Sequence, residues 1–145
     1  MGFQFSETMA GTVAWDSQPG PPQPFSFEVT AEAESTRTHL RDGKAALRGV
    51  VHAPPIAAAG AAEGVITIRP LGQRIIRYEL AFRGDDGRTY RVFGEKAIRL
   101  SSPIHSFTYL PAEILDDQDR RVGVCEARFD HKRDLWSFLR SFRRL

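Results

Sequence analysis

Hydrophobic residues alternate with polar ones over most of this chain, most regularly between Arg74 and Lys96. Ile76, Tyr78, Leu80 and Phe82 are separated by single, mostly charged or small residues, the period-two signature of a half-buried strand. Tyr90, Val92 and Gly94 repeat it on a returning strand. A three-residue loop, Asp85-Asp86-Gly87, with Gly87 in the left-handed position, sets Phe82 opposite Tyr90, Leu80 opposite Val92 and Tyr78 opposite Gly94. The same register pairs Arg77 with Glu95 on the other face. A two-residue Asp86-Gly87 turn would set Phe82 against Arg91 and mix the faces. The three-residue register places Lys96 on the apolar face, opposite Ile76.

Other segments extend the pattern. Phe3, Phe5, Glu7, Met9, Gly11, Val13 and Trp15 share one face of a first strand whose other face is small and hydroxylic. The first face is therefore the inner one, and Glu7 is the exception on it. After a proline-rich connection from Asp16 to Pro24, Phe25, Phe27, Val29, Ala31 and Ala33 define a second strand. Lys44 to Ala53 predicts a third, Val65 to Pro70 a fourth, His105 to Leu115 a seventh and Val122 to Phe129 an eighth; the hairpin supplies the fifth and sixth. Pro111 predicts an edge or a bulge in the seventh. The alanine-rich stretch from Ile56 to Ala62 reads as either a short helix or a loose connection. Behind an Asp130 N-cap, Leu135, Phe138, Leu139, Phe142 and Leu145 recur at helical spacing, which predicts one amphipathic helix over about 131–144. The fold expected is a single all-β domain over 1–145: an antiparallel up-and-down, lipocalin-like eight-stranded barrel with one C-terminal helix. A β-sandwich is the alternative, since strand count alone does not separate the two.

Composition narrows the setting. A chain of 145 residues is one domain that buries about two-thirds of its unfolded surface. No apolar run approaches the roughly 20 residues of a membrane span, and no basic-then-apolar segment opens the chain. The expectation is a cytoplasmic protein without stable membrane insertion. Met1 to Ser6 matches the myristoylation pattern formally, but Phe3 and Phe5 read as strand residues. Cys125 is the only cysteine, which excludes an internal disulfide and a thiolate zinc site. Acids gather before Arg37 and bases after Arg128, but a net charge of +2 is too small to favour nucleic acid. The basic helix fits closure of the barrel end better than a membrane surface. Oligomeric state is left open.

Candidate chemistry is sparse. There is no GxGxxG or GxxxxGK[ST] fingerprint, so no cofactor is implied. His39, His52, His105 and His131 are scattered without ligand spacing, and Asp116-Asp117-Gln118-Asp119 reads as a solvated turn, so no metal is expected. Glu7 and Lys96 stand out. Each interrupts an apolar face, and burying either charge alone would cost several kcal/mol. The expected solution is an ion pair across the first and sixth strands, an opening to solvent, or a bound polar group. Tyr78, Tyr90, Trp15 and Phe27, with Phe5, Phe25, Phe82, Phe107 and Tyr109, are expected to line the interior. Gly11, Gly49 and Gly94 would leave room there.

Phe5-Ser6-Glu7-Thr8-Met9-Ala10-Gly11 resembles the F-[ST]-E-x-M-x-G opening of a small β-domain attached to some bacterial GMC-type, cholesterol-oxidase-like flavoenzymes. Tyr78-x-Leu80-x-Phe82, Asp86-Gly87-Arg88 and Gly94-x-Lys96 are similar to that domain's hairpin. The resemblance implies an accessory domain without flavin chemistry of its own and transfers no catalytic residue. Three functions follow as expectations. The first is a non-enzymatic barrel that binds an apolar small molecule, sterol- or lipid-like, or serves a partner oxidoreductase. The second is a protein-interaction module with a filled barrel. The third is a small isomerase- or cyclase-type enzyme using Glu7 or Lys96 for proton transfer.

Overall fold

The period-two pattern closes on itself. The computed structural model describes residues 3–18, 20–33, 43–69, 75–97, 101, 108–128 and 143–144. These contain β1 (Phe3–Trp15), β2 (Gln23–Ala33), β3 (Lys44–Ala53), β4 (Ala57–Arg69), β5 (Ile75–Arg83), β6 (Thr89–Ala97), β7 (Tyr109–Leu115), β8 (Arg121–Arg128) and β9 (Arg143–Arg144). Each of β1 to β7 pairs antiparallel with the next, and β1 pairs with β8 as well as β2. The result is a closed eight-stranded up-and-down barrel, which rules out the sandwich and leaves no open edge. Inward positions form the core: Phe5, Met9 and Val13 on β1, Phe27 and Val29 on β2, Leu47 and Val51 on β3, and Leu80, Phe82 and Val92 on the hairpin are all buried.

The hairpin has the register expected of it. Phe82 faces Tyr90, Leu80 faces Val92, Tyr78 faces Gly94, Arg77 faces Glu95 and Ile76 faces Lys96. Gly84 N–H donates to the Arg88 carbonyl at 2.8 Å, so the loop is Asp85-Asp86-Gly87, with Gly87 at φ 82°. On the outer face Arg77 Nε donates to Glu95 Oε1 at 2.9 Å.

Two expectations change. The alanine-rich stretch is strand: β4 begins at Ala57, and Gly60, Ala61 and Ala62 pair with Val51, Val50 and Gly49 of β3. Backbone pairing and the burial of Ala57 and Ala62 override the helix preference of alanine. At the other end of the chain, Arg143 and Arg144 are extended and pair with Gln4 and Phe3 of β1. β8 reaches only Ala10 to Trp15 on that side of β1, and β9 takes up pairing further along it, which excludes helical geometry at these two residues. The rest of the expected helix, and the start of the expected seventh strand at His105, lie outside the described residues. Pro111 behaves as an edge residue on one side only. It pairs with Glu126 of β8, while pairing with β6 ends at Ala112, one position before this residue without an N–H.

The glycines do not hollow the barrel. A Cβ added at Gly49 would lie 1.9 Å from the Glu28 carbonyl oxygen, and one at Gly64 would lie 1.9 Å from that of Glu79. Gly11 is in the same position against Glu126. These residues let adjacent backbones come close where the sheet bends to close.

At the end where β1 runs out, the turns are tied together. Trp15 Nε1 donates to the Pro54 carbonyl at 2.9 Å, and Asp85 N–H donates to that of Ile56 at 2.8 Å. Arg88 pairs with Asp117 at 2.7 Å and Arg91 with Asp119, joining the β5–β6 turn to the β7–β8 turn. Asp116 accepts backbone N–H groups of Gln118 and Arg120, both at 2.9 Å. The acids of this loop are thus engaged by arginines and backbone.

Gly64→Ala is expected to lower stability by roughly 1–3 kcal/mol or more, because backbone atoms rather than a flexible side chain must yield. Urea unfolding should show the midpoint falling with little change in m-value.

Candidate functional site

Three polar side chains meet inside the barrel. Glu7 lies on the inner face of β1 between Phe5 and Met9, and is 5% exposed. Tyr78 on β5 and Lys96 on β6 are 2% and 1% exposed. Because Ile76 faces Lys96 and Tyr78 faces Gly94, Tyr78 and Lys96 are diagonal neighbours on one face, within reach of long side chains. Lys96 Nζ donates to Tyr78 Oη at 2.8 Å, and its ammonium lies 4.9 Å from the ring centroid. Phe27 packs on the same ring, with centroids 6.0 Å apart.

Glu7 acts on this pair from across the interior. Burial, then the charge of Glu7 and its hydrogen bond to the phenol, push the Tyr78 hydroxyl well above its ordinary pKa. Burial pulls Lys96 below its ordinary value, and the charge of Glu7 works in the opposite direction. Among the described residues no direct salt bridge joins Glu7 to Lys96. In place of the ion pair expected from sequence, Lys96 bonds the Tyr78 hydroxyl, and Glu7 acts on both through its charge. Glu7 Oε1 is buried without any hydrogen-bond partner.

The structure brings Glu7, Tyr78, Lys96 and Phe27 together and separates them from Trp15 and Tyr90. Tyr90 stacks on Phe82 at 5.7 Å and donates its hydroxyl to Asp86 Oδ2 at 2.7 Å. Trp15 is held by Pro54. Both belong to the tied end rather than to the polar cluster. Tyr109 is not a lining residue. It is half-buried, its hydroxyl donates to Glu126 at 3.1 Å, and Arg128 lies over its ring. Phe107 lies outside the described residues. Cys125 is buried, and burial alone pushes its thiol up to about 12, which leaves it without thiolate reactivity. Among the described residues no cluster of His, Cys, Asp or Glu could hold a metal, and no helix is long and apolar enough to cross a membrane.

The linking role of Tyr78 is what sequence reading missed. The signal was present: Tyr78 is two positions from the residue facing Lys96 on a shared face. On the outer wall, small residues leave open grooves of about 600 and 490 Å3, the first beside Ala46, Arg48 and Glu63 and the second beside Ala61 and Arg83. Compared with known protein families and with curated proteins, the chain matches none.

Chemically, the cluster sets an acidic and a basic side chain in a dry setting beside a phenol that the lysine contacts, with Glu7 Oε1 lacking a hydrogen-bond partner. A double-mutant cycle tests the coupling. Lys96→Met is expected to cost roughly 3–5 kcal/mol by leaving Glu7 uncompensated, while Glu7→Gln combined with Lys96→Met should cost clearly less than the two singles added. Chemical denaturation of the four proteins measures it. The raised Tyr78 pKa also fixes a sign. Below the phenol's ordinary value of 10.0 both folded and unfolded states keep the proton, and above it only the unfolded state releases it. Stability should therefore fall as pH rises past that value. Tyr78→Phe should remove part of this slope, read from urea midpoints at several alkaline pH values.

Proposed function

We propose that the barrel binds an apolar small molecule, sterol- or lipid-like, in its interior, with the molecule's polar end against Glu7, Tyr78 and Lys96. The observation that carries this reading is Glu7 Oε1, a buried carboxylate oxygen with no partner on an otherwise apolar face. Buried polar atoms are almost always satisfied, and an unpaired one costs about 1–3 kcal/mol, more when charged. Packing gives no reason for a carboxylate between Phe5 and Met9. A ligand donor group supplies the missing bond. The motif resemblance adds the role of an accessory domain that holds or delivers this molecule for a partner oxidoreductase.

A second reading is supported by the Lys96–Tyr78 contact and by the influence of Glu7 on both groups. An acid, a phenol and an amine set together in this way can exchange a proton with a substrate, as an isomerase- or cyclase-type reaction needs. Glu7→Gln separates the readings, since it removes the base while keeping the shape of the site. Loss of turnover with ligand still bound would favour the enzyme.

Native mass spectrometry of the gently purified protein tests the main reading. A co-purified small-molecule mass, removed by organic extraction and diminished in Glu7→Gln, is the expected outcome. A bare chain that also takes up no lipid or sterol from a mixed extract would sink it.

A further inference from the structure

We infer that the polar end of this site selects a neutral hydrogen-bond donor, an aliphatic alcohol, over the carboxylate or aldehyde of the same carbon chain. The inference rests on the interior-binding reading and specifies the head group that this reading leaves open.

The first argument is hydrogen-bond inventory. Glu7 Oε1 lacks a partner and, as a carboxylate oxygen, can only accept. An aldehyde, ketone, ester or hydrocarbon brings no donor and leaves the atom as it is. A hydroxyl donates to it directly, and a bond to a charged acceptor is stronger than one between neutral groups.

The second argument is charge. Glu7 and Lys96 are buried to 5% and 1% exposure, so any further charge brought beside them enters a dry setting. A fatty-acid carboxylate placed at Oε1 would set two anions side by side and leave one buried negative charge uncompensated. The Lys96 side chain is already engaged, donating to Tyr78 at 2.8 Å. An alkylammonium would satisfy Oε1 but leave one positive charge over. A neutral hydroxyl supplies the donor that Glu7 Oε1 lacks without bringing a further charge into the dry interior. The Tyr78 ring against Phe27 supplies an apolar wall for the carbon next to the hydroxyl.

The test is competition among dodecanol, dodecanal and dodecanoic acid at equal concentration near neutral pH, with bound species read by native mass spectrometry on the full-length protein. Dodecanol is expected to win by at least about tenfold over each of the others, the size of one charge-assisted hydrogen bond. In Glu7→Gln, where an uncharged amide both donates and accepts, the preference should shrink to within about threefold, mainly through better binding of the acid. If the acid binds best, or the three bind alike to the wild-type protein, interior binding stands and the head-group selection is overturned. If none binds, the interior-binding reading fails and takes the selection with it. The wild-type competition decides by itself should Glu7→Gln not fold.

Discussion

Closure of the sheet is the constraint on which everything else depends. β1 must satisfy β2 along one side and β8 along part of the other, so its register is fixed twice. In an open sheet a strand carrying a misplaced charge could slip by one residue and turn it outward. Here a slip would break pairing on both sides and send Phe5, Met9 and Val13 into water together with Glu7. Glu7 and Lys96 are therefore held inside by the pairing of whole strands, and the cluster with Tyr78 is their local accommodation.

The same closure divides the interior into two halves of different make-up. At one end, Trp15, Tyr90 and the arginine–aspartate pairs join neighbouring turns, and the aromatic residues act as fasteners there. Glu7, Tyr78 and Lys96 sit in the other half of their strands. A ring of aromatic positions that looks uniform in sequence has two jobs in space, set by whether a hydroxyl or indole N–H meets a turn or another interior side chain.

Much of this was legible beforehand, for physical reasons. Two-residue alternation is set by strand geometry, and the loop Asp85-Asp86-Gly87 fixes which residues face each other, so the inward placement of Lys96 followed from counting. The first strand's small, hydroxylic outer face likewise placed Glu7 inside. The alanine-rich stretch was illegible because alanine's local preference is weak and the deciding term, pairing with β3, is not local. The inward glycines misled because a missing side chain signals empty space or close backbone approach equally well, and only the neighbouring carbonyl distinguishes them. Arg143 and Arg144 fit a helical period, yet their backbone pairs with β1, which no period could reveal.

The seams of the barrel are unequal in a way that bears on access. β5 and β6 are paired from Ile75 to Arg83, whereas β6 and β7 are paired only from Arg91 to Gly94, the shortest such run around the barrel among the described residues. Local opening is easiest where the fewest backbone bonds must break. Lys96 is two residues past the last of these β6–β7 pairs, so the polar cluster lies beside the short seam. Among the described residues, parting β6 from β7 breaks the fewest backbone bonds, while the turns at the far end are tied by side chains as well.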